Sequence, residues 1–120
     1  MIGKVNVAEK FKAISDYWNP RIVGDANGQL VKLVKLKGQF VWHHHENEDE
    51  MFLIVKGTLK IEFRDKNVLL EEGEFLVVPR GVDHRPVAQE EVHVLLFEPA
   101  LTLNTGNVRN ERTRDKLERL

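Results

Sequence analysis

Three of the five histidines stand together as His43-His44-His45, and Glu50 follows five residues beyond the last of them. Successive side chains on an extended strand point to opposite faces, so His43 and His45 share a face and His44 points away. Two imidazoles at i and i+2 make a chelating edge. The polar stretch Glu46-Asn47-Glu48-Asp49 can turn the chain and bring Glu50 back beside that edge. A fourth histidine, His84, follows Pro79 and Gly81; the proline fixes φ and the glycine permits a tight bend, so His84 begins a new strand aimed inward. Three neutral imidazoles and one carboxylate suit a single divalent transition metal, one of Zn, Fe, Mn, Ni, Co or Cu. A hard, all-oxygen site for Ca or Mg does not match these donors. The chain has no cysteine, so nitrogen and oxygen are the ligand atoms left to it. Four protein ligands fill a tetrahedral ion, but on an octahedral one they leave positions where water, dioxygen or a chelating substrate would bind.

Other residues have weaker claims. His93 lies on the last apolar run, on the face of Leu95 and Phe97; it could enter the pocket as a proton shuttle, or it could sit packed at a rim. Phe52 and Ile54 share strand parity with Glu50 and are expected to line the pocket. Phe40 and Trp42 have the opposite parity to His43, which assigns them to outer core or an interface. Arg80 and Arg85 flank His84 and are read as surface arginines that could meet an anionic substrate. Glu46, Glu48 and Asp49 read as solvated loop charges.

The elements that must position these groups are mostly strands. Val7, Phe11 and Ile14 are helically spaced, and Asn6 with Glu9 forms a capping pair, so a short helix is expected within residues 1–20. Asn27-Gly28 is a strong hairpin signal, joining a strand at 21–25 to a longer one at 29–37. Further strands are expected at 43–45, 50–56, 58–63, 68–70, 75–78 and 92–98, separated by turn residues including Gln89-Glu90-Glu91. Short strands at this spacing argue for a sandwich or barrel over residues 21–104. Residues 105–120 form a charged tail whose end, from Arg109, reads as a short solvated helix or a disordered end. The runs at 51–55, 75–78 and 94–97 do not alternate, so both of their faces need burial. A helix, a second copy of the chain, or ordinary sheet packing could supply the cover.

With 120 residues the chain is expected to fold as one domain with one core. A net charge of -1 gives no field that would recruit nucleic acid or an anionic membrane. The opening Met1-Ile2-Gly3-Lys4 lacks the apolar core of a signal peptide, and no apolar run reaches the ~20 residues a membrane span requires. The expectation is a cytoplasmic protein that acts on a small molecule, with a homodimer as a possible assembly.

The ordered set resembles the cupin superfamily. Its first motif, G-x5-H-x-H-x3-4-E-x6-G, is matched by Gly38, His43, His45, Glu50 and Gly57; its second, G-x5-P-x-G-x2-H-x3-N, by Gly73, Pro79, Gly81 and His84. Two departures are visible. Four residues instead of five separate Gly38 from His43, and Ala88 stands where the family often has Asn; neither is a ligand position. The resemblance implies an all-β cupin double-stranded β-helix, a jelly-roll barrel, with His43, His45, Glu50 and His84 as metal ligands. The short spacing between the motifs is similar to that of small single-domain bacterial-type cupins, a group often given a mannose-6-phosphate-isomerase-like label that describes fold more than activity. It implies a metal-dependent enzyme of dioxygenase, isomerase or decarboxylase type on a small oxygenated molecule, in which Glu50 could also release to act as a base. The alternative is a non-catalytic module that binds or senses a metal or small molecule.

Overall fold

Asn27 and Gly28 both take positive φ, 51° and 79°, and this tight turn joins β1 (Arg21–Ala26) to β2 (Gln29–Gln39). The computed structural model describes residues 2–120, leaving Met1 of the expected N-terminal segment outside it. Five more strands follow: β3 (Glu50–Lys56), β4 (Leu59–Phe63), β5 (Asn67–Leu70), β6 (Phe75–Val78) and β7 (His84–Pro99). All pair antiparallel, in the order β1-β2-β7-β3-β6, with β4 joining β7 to β5.

The longest strand, β7, organises the barrel. Its first residues pair with β4, His84 opposite Phe63, while its second half lies between β2 and β3, with Leu96 opposite both Lys32 and Phe52. Between the halves, Gln89–Glu91 is exposed and the pairing with β2 shifts register between Leu36 and Gly38. The turn expected at these residues is therefore a bulge within one continuous strand. Inward positions alternate along each strand: Val34 and Leu36 on β2, Phe52 and Ile54 on β3, Leu59 and Ile61 on β4, Val92, Val94 and Leu96 on β7 form one core.

The outer face of β2 and its neighbours β1, β3 and β7 is covered by α1 (Val7–Lys12) and the residues after it. Asn6 caps it, its side chain accepting from the Glu9 amide at 3.0 Å. Phe11 and Ile14 bury against Leu33, with Val23, Val55 and Leu95 around them, which explains why those strands read as continuous apolar runs. Burial of Phe11 contributes roughly 2–3 kcal/mol by area. Phe75 and Val77 on β6 stay exposed, 61% and 46%.

Beyond α1 the chain crosses to the barrel mouth at Trp18, whose φ of 60° is a left-handed conformation that bulky residues rarely adopt. It is held there by hydrogen bonds from its amide to the Lys35 carbonyl and from its indole to the Lys37 carbonyl, both 3.0 Å. Residues 101–120 form no helix but a turn-rich strap with tertiary hydrogen bonds of its own: Arg112 donates to the Gln39 carbonyl at 2.7 Å, and the Leu120 amide to the Ile22 carbonyl at 2.9 Å. The expected solvated helix or loose end is thus replaced by backbone docking along β1 and the mouth. Among the described residues no helix is long and apolar enough to cross a membrane.

Candidate metal centre

The strand expected over 43–45 is reduced to one bridge. His43 and His84 exchange backbone hydrogen bonds, 3.1 Å and 2.9 Å, which sets their rings 4.3 Å apart. One residue pair of ladder is enough to fix both imidazoles. On the other side of the loop the His45 carbonyl accepts from the Gly81 amide at 2.7 Å, tying the chelating segment to the turn before β7. Glu50 enters from the first position of β3, opposite Val78. The strap supports the loop from outside, where Asn107 pairs with His44 through both backbone and side chain. Gly106 touches the same loop; a Cβ there would lie 2.2 Å from the His44 carbonyl oxygen, so any larger residue would force the strap off the loop and strain its φ of 58°.

His43, His45, Glu50 and His84 are all buried, and their ligand atoms lie within 4.8 Å of one another. The Nδ1 atoms of His43 and His84 each donate to a carbonyl, Val41 and Val82, at 2.9 Å. A carbonyl can only accept, so this fixes the tautomer and leaves each Nε2 with a lone pair toward the cluster. His45 Nε2 and His84 Nε2 sit 3.3 Å and 3.4 Å from Glu50 Oε1. Among the described residues, His45 Nε2, His84 Nε2 and Glu50 Oε1 are buried without a hydrogen-bond partner. Buried polar atoms are rarely left so, and converging lone pairs are what a divalent cation satisfies. These residues could hold a metal ion.

The electrostatics agree. Burial, with the neighbouring His84, pushes the His43 imidazole down to about 4, so it is neutral and able to ligate at ordinary pH. Burial works to raise the Glu50 carboxyl, but polar contacts with His45, His84 and Glu98 outweigh it and hold Glu50 well below the usual carboxylate range. Burial and the adjacent Glu50 charge drive Glu98 the other way, well above that range, despite Lys32.

A cavity of about 410 Å³, counted out to its open mouth, reaches His43 and Glu50. Phe52, Trp18, Phe40, Val34, Leu36 and Leu96 make its walls, with Asn104 from the strap and Glu98 among the polar groups. Trp18 stacks on Phe40 at 4.7 Å, and Phe40 meets His43 edge-on at 5.3 Å. Placing Phe40 in an outer layer is therefore incorrect: residues 40–42 are not a regular strand, so parity does not carry across the bend at Gly38. Trp42 does face outward, under Arg64 and Arg85. Ile54 points inward but belongs to the packed core and not to this cavity's wall.

His44 turns outward to Glu46 and Asp83, and the Glu46 carboxylate raises its pKa. His93 is not with the cluster. It lies on the outer face of β7, stacked on Phe11 at 4.5 Å and bonded to Glu91 at 2.8 Å, so a role as a pocket proton shuttle is ruled out by its direction. The sequence reading missed Glu98, Lys32, Trp18 and Asn104. Lys32 and Glu98 form an ion pair at 2.7 Å, each 1% exposed. Both lie at inward positions of strands otherwise apolar on that side, the one signal that could have exposed them.

The cupin domain family pattern matches residues 30–98. A cupin-2 domain containing protein from Shewanella frigidimarina NCIMB 400 superposes with a TM-score of 0.78 at 44% identity, covering 79% of this chain and 93% of that one. Protein NMB1881 from Neisseria meningitidis gives 0.75 at 33% identity, covering 82% and 100%. The uncharacterised protein YdbB of Bacillus subtilis (strain 168) is 36% identical over 64 residues, 52% of this chain; the matched stretch spans 57% of that relative's length. Structure, motif positions and family pattern agree, and the chain belongs to the cupin family.

Proposed function

We propose that the chain is a metal-dependent cupin enzyme in which His43, His45, Glu50 and His84 hold one divalent transition metal at the end of an apolar cavity, where a small oxygenated molecule is converted. The observation that carries this reading is the set of buried, unpartnered ligand atoms converging beside a cavity that opens to solvent. A divalent metal supplies Lewis-acid polarisation of an oxygen atom on the molecule bound there. The chain's own residues do the rest. Val41 and Val82 fix the imidazole tautomers, and the Trp18, Phe40 and Phe52 walls exclude water and so strengthen every electrostatic contact inside. Glu50 is held anionic, as ligand or as base on release.

The cavity also bears on substrate class. Among the described residues its lining includes two carboxylates and no lysine or arginine, which disfavours a phosphorylated sugar and with it the chemistry suggested by a mannose-6-phosphate-isomerase-like label. A dioxygenase, isomerase or decarboxylase acting on a largely apolar oxygenated compound fits better.

The test is a turnover screen of the metal-reconstituted protein against small hydroxy-carbonyl and phenolic compounds, following oxygen uptake and product by chromatography. Turnover that needs the metal and is lost in His45→Ala supports the reading. Saturable binding without turnover in any metal form makes the protein a binding or sensing module, and equal turnover by metal-free protein refutes a metal-dependent enzyme.

A further inference from the structure

One wall of the cavity carries a carboxyl that the four-residue cluster does not use. Glu98, near the end of β7, lines the cavity with Glu50 and His43. Its Oε1 accepts from Lys32 Nζ at 2.7 Å, and both residues are 1% exposed. Its Oε2 is buried and, among the described residues, has no hydrogen-bond partner. Lys32 thus fixes the carboxyl by one oxygen and leaves the other unpartnered on a residue that lines the cavity. A buried polar atom without a partner destabilises the protein around it, so one retained on a cavity wall is positioned for something that binds there.

The surroundings limit what that is. Trp18, Phe40, Phe52, Val34, Leu36 and Leu96 surround the space, so most of the ligand is apolar. An anionic group would face both Glu50 and Glu98, and the Glu98 charge is already met by Lys32, so a cationic group finds no uncompensated partner there. A hydroxyl both donates and accepts, and so satisfies the Glu98 oxygen in either role. Glu98 and Glu50 line the same cavity. A ligand hydroxyl at Glu98 is therefore next to whatever oxygen the ligand turns toward the cluster.

Building on the metal-dependent reading above, we propose that Glu98 is a specificity-determining residue that hydrogen-bonds through Oε2 to a hydroxyl vicinal to the ligand's cluster-facing oxygen. The substrate class is a small, largely apolar compound with two adjacent oxygen functions, such as a catechol or an α-hydroxy ketone. Lys32 is a positioning residue, holding the carboxyl in place.

Zinc-loaded protein titrated by anaerobic calorimetry with catechol and with 2-fluorophenol tests this. The two probes are similar in size and differ by the second hydroxyl. Wild type prefers catechol by about tenfold, the worth of one buried hydrogen bond. Glu98→Gln keeps a polar group in place and lowers that preference severalfold. The double variant K32L/E98L, which removes both charges so that neither is left buried and unpaired, loses most of the preference while zinc uptake is retained. A preference unchanged in both variants overturns the proposal, since chelation by the two ligand oxygens alone would then account for it. Zinc uptake by wild type without any catechol preference overturns it as well and leaves the metal site standing. Failure of wild type to take up zinc or any other divalent transition metal removes the metal-dependent reading itself.

Discussion

Two regions of this barrel each contain histidine, half-buried in one and fully buried in the other, and they differ in how the histidine is satisfied. On the outer face, under α1, His93 stacks on Phe11 and bonds to Glu91, which also accepts from the Tyr17 hydroxyl at 2.8 Å. Around it lie the apolar Phe11 and Val55 and the surface groups Lys12, Lys35, Lys56 and Glu72. At the mouth, His45, Glu50 and His84 keep buried atoms with no partner, beside a cavity. The first arrangement needs nothing further to be stable. The second carries a polar desolvation cost that only a bound group offsets. Residue type is shared by both regions; full burial together with unmet hydrogen-bonding capacity separates the functional one from the structural one.

That contrast can be broken at either end. The largest effect is expected from His84→Ala, which removes one ligand and keeps the backbone bridge to His43: metal affinity falls by more than about a hundredfold, measured by competition with a chromogenic chelator, while circular dichroism shows the fold kept. Phe11→Ala, in the other region, is expected to cost roughly 3–5 kcal/mol in denaturant unfolding and to leave metal stoichiometry unchanged in the folded fraction.

The third expectation is a pH dependence. His43 is depressed in the folded state to about 4 from an ordinary 6.5. Between those values the unfolded chain binds the proton more readily, so metal-free protein is destabilised as pH falls from 6.5 to about 4, by about 3 kcal/mol in all. Above 6.5 this contribution is fully present. Thermal unfolding of metal-free wild type and His43→Gln across that window checks it; the variant is expected to show a flatter profile.

Gly106→Ala is expected to be milder, about 1–3 kcal/mol, because the strap has to shift off the His44 carbonyl. It should weaken metal binding along with stability, unlike Phe11→Ala. The smallest effect is expected at His93→Leu: less than about 1 kcal/mol, with metal content and turnover unchanged.

The sequence exposed this site unevenly, and the reason is physical. His43, His45, Glu50 and His84 sit where local rules hold: two-residue parity, a polar turn, and a Pro-x-Gly bend. Helix α1 and the Asn27-Gly28 hairpin were legible for the same reason, since caps and turns are local chemistry. Phe40 was misplaced because Gly38 breaks the strand and parity stops there. His93 offered two directions, and only the docking of Phe11 from a distant segment decided between them. Glu98 and Lys32 are 66 residues apart, and nothing local announces that an inward charge on one strand meets its partner on another. Nothing local marks Asn104 and Gly106, because the strap's contact with the chelating loop is wholly tertiary.

The central claim, that the four mouth residues bind a metal, is tested most directly by elemental analysis of untagged protein purified without added metal. About one divalent transition-metal ion per chain is expected, falling to near zero in His45→Ala. Negligible metal in wild type, persisting after incubation with Zn, Fe, Mn, Ni, Co and Cu salts and desalting, would contradict the account.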